Sequence, residues 1–218
     1  PDLRTAFDRL LRAFGPQHWW PGRTRFEMMA GAVLTQNTAW SNVARAIANL
    51  RRARRLTPAR MHELPLPDLA ALIRPAGYFN LKARRLRALT GLVCDRFGGD
   101  LSRLLALDTE DLRATLLGTH GLGPETADCV PLYSARRPVF VVDAYTRRVA
   151  SRHGWAPDDA SYGDLAALFA GLLPRDTALY NEYPALIVAL GKQYCRPAPR
   201  CAGCPLQSML PGGRSEGR

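Results

Sequence analysis

The stretch DTEDLRATLLGTHGLGPETADCVPLYSARRPVFVVDAYTRR, from Asp108 to Arg148, forces two helices to close around a Gly-x-Gly hairpin. Asp108 or Thr109 caps the first helix, whose Leu112, Leu116 and Leu117 fall at helical spacing. Gly118 and Thr119 stop it. Gly121 and Gly123 admit a positive φ and the close approach of another backbone, and Pro124 suits the first turn of a helix. The helix start that follows directs free backbone N–H groups outward, an arrangement that binds phosphate without any side chain. A kink is expected at Pro131 and a stop by Pro138. The apolar run Val139, Phe140, Val141 and Val142 then delivers Asp143 to the mouth of another helix, AYTRRVASRHGW, whose N-terminus favours an ionised carboxylate. On the residues alone, Asp143 is either an N-cap or a functional acid.

The rest of the chain reads as helices separated by short breaks. The punctuation predicts them over Asp2 to Phe14, Thr24 to Thr35, Trp40 to Arg55, Pro67 to Arg74, Asn80 to Phe97, Asp100 to Ala106, Thr109 to Leu117, Pro124 to Ala135, Ala144 to His153, Ser161 to Leu172 and Asp176 to Gln193. Ser161 and Asp164 have the spacing of a capping box. No alternating run is long enough for a strand, so the chain is expected to be all-α. There is no internal repeat, and the polar tail PGGRSEGR is expected to be disordered.

Charge narrows the partners. The chain has 218 residues and a net charge of +11, carried by 28 Arg and 2 Lys against 19 acidic residues. Between Arg45 and Leu89 there are eleven basic residues and two acidic ones, Glu63 and Asp68, so that window alone carries +9. Such a balance suits a polyanion, either nucleic acid or an anionic membrane face. No apolar run approaches the roughly eighteen residues of a membrane span, and PDLRTAFDRLLRAFG is an amphipathic helix rather than a signal peptide. A soluble cytoplasmic monomer is expected, associated with the nucleoid if the source is bacterial.

Four stretches in register carry a resemblance: HWWPGRTRFEMMAGAVLTQNTAW (18 to 40), LIRPAGYFNLKARRL (72 to 86), GLGPETAD (121 to 128) and VVDAYTRR (141 to 148). Together they resemble the endonuclease III superfamily of helix-hairpin-helix DNA glycosylases, and within it most closely the 3-methyladenine DNA glycosylase III branch. The resemblance implies two helical domains flanking a DNA-binding cleft. Residues 23–133 would form the inner domain with the hairpin, and residues 1–22 plus 134–218 the second domain, with Asp143 and the C-terminal cysteines. It also implies double-stranded DNA with damaged bases as partner, and Asp143 as the catalytic carboxylate, which stabilises an oxocarbenium-like sugar and orients or deprotonates a water.

The remaining site expectations follow from that resemblance and from chemistry. In LTQNTAW, Gln36 matches the family residue that fills the gap left by an extruded nucleotide, and Asn37 lies in the same loop. Gly121, Gly123, Asn80 and Lys82 complete the expected DNA contacts. Trp19, Trp20 and Trp40 are expected around the base pocket, where a flat electron-rich ring gains about 0.5 to 2 kcal/mol over a cationic alkylated purine. Glu125, also placed at the pocket, stands where bifunctional members carry a lysine that attacks the sugar. A glutamate cannot form that Schiff base, so a monofunctional glycosylase for alkylated purines such as 3-methyladenine is expected. Two alternatives stay open: a glycosylase for oxidised pyrimidines with weak or no lyase activity, and a DNA-binding protein without catalysis.

Five cysteines in such a chain argue against disulfides. Cys94 and Cys129 are expected as buried fillers inside helices. Cys195, Cys201 and Cys204 form C-x5-C-x2-C, against the C-x6-C-x2-C-x5-C that holds an iron-sulfur cluster in many superfamily members. The first gap is one residue short, and the fourth position is Leu210. A cluster completed by another ligand and the loss of the metal both remain open, and the chemistry at Asp143 needs no cofactor.

Overall fold

The computed structural model describes residues 1–213. Residues 214–218, on which much of the expected tail disorder falls, lie outside the described residues. Among the described residues every regular element is helical, and the chain divides into two compact units. One is Trp20–Arg137; the other joins Pro1–Trp19 to the chain from Pro138 onward.

The unit Trp20–Arg137 contains eight α-helices: α2 (Arg25–Thr35), α3 (Trp40–Arg52), α4 (Pro58–His62), α5 (Leu66–Leu72), α6 (Phe79–Gly91), α7 (Leu101–Ala106), α8 (Thr109–Leu117) and α9 (Pro124–Cys129). Helix α2 is apolar nearly all round, with Met29, Ala30, Val33 and Leu34 buried, because it runs through the centre of the unit's core. Val43, Leu50, Leu69, Leu86, Leu89, Leu112 and Leu116 close on it from the neighbouring helices. Each such side chain contributes roughly 1.5–3 kcal/mol by leaving water.

Several expectations shift here. The third helix stops at Arg52, not Arg55, because Arg54 takes φ 55° and the Arg55 N–H bonds back to the Leu50 carbonyl at 2.9 Å. This is a left-handed helix end built without glycine. Helix α4 went unread because it is a single turn after Thr57-Pro58. Helix α6 is followed by a π-helical segment, Leu92–Arg96, which leaves Cys94 partly exposed rather than buried. Cys129 is buried as expected. A second π-helical segment, Val130–Ser134, contains Pro131, whose missing N–H removes one helical bond at the expected kink.

The other unit contains α1 (Leu3–Phe14), α10 (Ala144–Arg152), α11 (Tyr162–Leu172) and α12 (Thr177–Gln193). Both α1 and α10 pack on α12, the longest helix. An aromatic core ties them: Phe140 stacks on Phe169 at 4.3 Å, Phe7 meets Tyr183 edge-on at 5.3 Å, and the buried Tyr183 hydroxyl donates to the Leu3 carbonyl at 2.8 Å. Phe140 belongs to the lead-in before α10, so this stack anchors the chain three residues ahead of Asp143. The Ser161–Asp164 capping box forms at the start of α11. Among the described residues no helix is long and apolar enough to cross a membrane.

Candidate active site

Asp143 is the N-cap of α10. Its Oδ1 accepts from the Thr146 backbone N–H at 2.7 Å and from the Thr146 hydroxyl at 2.8 Å. The residue as a whole retains some exposed surface, yet the carboxyl itself is enclosed, and burial pushes its pKa above the ordinary carboxylate range. The bonds from Thr146 and the Tyr145 amide pull the other way, and burial prevails. The N-cap and functional readings are therefore not rivals: the capping bonds hold in place a carboxyl whose proton affinity is tuned upward.

Asp143 is held by α12 as well. Gly191 faces Tyr145, and the Arg148 guanidinium lies over the Tyr145 ring at 5.0 Å. Further along α10, Arg148 Nε donates to the Cys195 carbonyl at 2.7 Å, and Arg152 donates to the Arg196 carbonyl at 2.5 Å and the Pro197 carbonyl at 2.8 Å. The segment after α12 is thus bonded to the helix that starts at Asp143.

In the other unit the hairpin forms between α8 and α9. Gly121 has φ 82°, in the region that favours glycine, and a Cβ there would fall 2.3 Å from Arg85 Cγ. The close approach is by the Arg85 side chain, not by a backbone as expected. Gly123, at φ −81°, is an exposed N-cap for α9 and needs no left-handed conformation. It caps α9 without a side-chain hydrogen bond to the helix's first N–H groups.

Gln36 ends α2 and lies on this hairpin. Its Nε2 donates to Thr126 Oγ1 at 2.8 Å and to the Gly121 carbonyl at 3.3 Å, while Arg85 donates to its Oε1. The amide's orientation follows from chemistry, since a guanidinium only donates and a carbonyl only accepts. Asn37, beside it, is exposed at φ 54°. Glu125 is exposed in the first turn of α9, next to Thr126. Asn80 is exposed in the first turn of α6.

Lys82 departs from expectation. It is 1% exposed, and its Nζ donates to the Leu34 and Ala76 carbonyls, each at 2.8 Å. An ammonium sealed in this way has no face left to offer a phosphate. Burial pushes its pKa down to about 8.

Trp20 joins Trp40 edge-on at 5.3 Å and lies 5.1 Å from Tyr133. Gly31 of α2 makes room for it, because a Cβ there would sit 2.9 Å from Trp20 Cζ2. Trp19 is partly buried and falls in the other unit.

Three residues of this region escaped sequence reasoning. Tyr133 lies in the π-helical segment, where helical spacing no longer predicts direction. Arg85 was one arginine among many. Tyr78 is 71% exposed with φ 45° at the start of α6, a strained backbone that holds an aromatic ring in solvent. The Gly77-Tyr78 pair in a basic stretch was its only signal.

The residues at the C-terminal cysteines do not fit a four-cysteine cluster. Cys195 is buried, Cys201 and Cys204 are partly exposed, and the fourth position is Leu210. Among the described residues no three His, Cys, Asp or Glu side chains gather where they could hold a metal.

Residues 30–175 match the HhH-GPD superfamily of base excision DNA repair proteins. The chain belongs to this superfamily. It is a DNA N-glycosylase of base excision repair. It is 44% identical over 201 residues to MJ1434 of Methanocaldococcus jannaschii, a candidate DNA repair glycosylase, covering 92% of this chain and 91% of that protein. Endonuclease III trapped as a covalent DNA intermediate has the same fold, with a TM-score of 0.82, 23% identity and coverage of 97% and 95%. The Helicobacter pylori 3-methyladenine DNA glycosylase MagIII, solved with 1,N6-ethenoadenine, gives a TM-score of 0.71 and 27% identity over 88% of this chain and 95% of that one.

Proposed function

We propose that this glycosylase hydrolyses the N-glycosidic bond of alkylated purines in double-stranded DNA, 3-methyladenine among them, and leaves the strand uncut. The observation that carries the reading is the aromatic group of Trp20, Trp40 and Tyr133 beside α2. Electron-rich ring faces favour a cationic purine over its neutral parent, whereas an oxidised pyrimidine has lost its aromaticity and depends on hydrogen bonds. The likeness to MagIII, a 3-methyladenine glycosylase, supports the same choice.

In the proposed reaction Asp143, ionised, stabilises the oxocarbenium-like sugar and orients or deprotonates the attacking water. Alkylation at a ring nitrogen makes the base a good leaving group, so no general acid is needed. Gln36 fills the gap in the duplex, the N-terminus of α9 takes a phosphate, and Asn37, Asn80 and the exposed Tyr78 meet the DNA nearby. Strand cleavage needs an amine at the sugar. The chain has two lysines; Lys82 is sealed against two carbonyls, Lys192 lies near the end of α12, and Glu125 occupies the hairpin position.

Base release measured on duplexes carrying 3-methyladenine and on duplexes carrying thymine glycol tests the substrate. Release of 3-methyladenine alone is expected; release of thymine glycol alone would replace this reading with the oxidised-pyrimidine one.

A further inference from the structure

Two loops of the unit Trp20–Arg137 end on the same buried amine. Lys82 reaches from the first turns of α6 to the Leu34 carbonyl, two residues before Gln36, and to the Ala76 carbonyl, two residues before Tyr78. Both carbonyls stand where regular structure stops: Leu34 in the last turn of α2, Ala76 at the end of the short 3-10 turn Arg74–Ala76. Such carbonyls lack a helical partner and normally turn to water. Here the lysine supplies both bonds from inside, at 1% exposure. Asn37, at φ 54°, comes three residues after Leu34, and Gly77 at φ 67° and Tyr78 at φ 45° come one and two residues after Ala76, so each loop carries a left-handed residue shortly beyond its anchored carbonyl.

We infer that Lys82 is a positioning residue that fixes the Gln36 loop and the Tyr78 turn at one spacing, so that both side chains meet the duplex together. The inference rests on the proposed DNA contacts of Gln36 and Tyr78. A lysine with this task works without touching DNA, which accounts for a buried cation in the basic stretch of a DNA-binding protein. The cost of burying the amine is offset by the two bonds, and removing the amine leaves two orphaned carbonyls. The loops would then move independently while the helices beneath them stay packed.

The test compares binding of wild type and Lys82→Met to an intact duplex and to a duplex with a tetrahydrofuran abasic analogue, which needs both loops in register. The variant is expected to bind the intact duplex within about twofold of wild type and to lose about tenfold of its preference for the abasic duplex, the size of roughly one lost hydrogen bond. Hydrogen exchange should rise at residues 35–39 and 77–80 together and stay unchanged in α10 to α12. A folded variant that keeps its preference, or one in which a single loop loosens, overturns the inference. Should Lys82→Met fail to fold, Lys82→Gln, whose shorter amide reaches one carbonyl at most, must show a loss of preference of at least several-fold on the same duplexes. The underlying reading fails separately: wild type would show no abasic preference, or Gln36→Ala and Tyr78→Ala would leave it unaltered, and the role of Lys82 would fall with it.

Discussion

A Cβ added to Gly191 would lie 2.2 Å from Cδ1 of Tyr145. Tyr145 is the second residue of α10 and Asp143 is that helix's cap, so the absence of a side chain on α12 sets where the carboxylate sits. Gly191→Ala must push α10 away or turn the Tyr145 ring. Helix propensity alone would favour alanine by about 1 kcal/mol, yet overpacking costs about 1–3 kcal/mol. Calorimetry should show a lower Tm, and base release should fall further than the lost stability explains; unchanged activity would separate Tyr145 from the placement of Asp143.

Asp143→Asn separates the cap from the chemistry. Asparagine caps a helix about as well as aspartate, so the fold should hold, while base release drops by roughly 10²- to 10⁴-fold. The folded pKa of Asp143 lies above its unfolded value, so folding takes up a proton there and stability declines as pH rises through that interval. At neutral pH wild type therefore carries the cost of a buried charge that the variant lacks, and the variant should melt no lower than wild type. The acid limb of the wild-type rate profile should fall above the ordinary carboxylate range.

Installing an amine at the hairpin checks the assignment of Glu125. Borohydride treatment of wild type on damaged DNA should trap nothing, whereas Glu125→Lys should yield a covalent protein–DNA species. A trapped wild-type adduct would place an amine at the sugar that the structure does not.

For Lys82 the titration has the opposite sense to that of Asp143. Its folded pKa, about 8, is below the ordinary lysine value of 10.5, so the unfolded chain holds more protons between those values and Lys82 stabilises the fold increasingly as pH rises from about 8 to 10.5. The Tm advantage of wild type over Lys82→Met should widen over that interval, by an amount on the order of 3 kcal/mol at most. A constant difference would show that the amine titrates normally.

Local chemistry was legible in the sequence wherever one segment decides its own conformation. Thr109–Leu117 formed over the residues read for it, the Ser161–Asp164 box closed, and Gly121 took the left-handed turn. What escaped depends on partners distant in the chain. Lys82 is buried because the carbonyl of Leu34, 48 residues away, comes within reach, and no local pattern announces that. Gly121 is pressed by Arg85, and Tyr133 meets Trp20 only because α2 and the π-helical segment Val130–Ser134 pack together. At the candidate site the residue types were readable, and the bonds that orient them were not.

The arginines of α10 tie the chain's last segment to the helix that starts at Asp143, the proposed catalytic residue. Arg148 and Arg152 donate to the carbonyls of Cys195, Arg196 and Pro197, three consecutive residues just beyond α12. A protease cut or a truncation just after α12 would strip those partners from the helix that starts at Asp143. The damage would register as slowed base removal, in a protein whose hairpin between α8 and α9 is untouched.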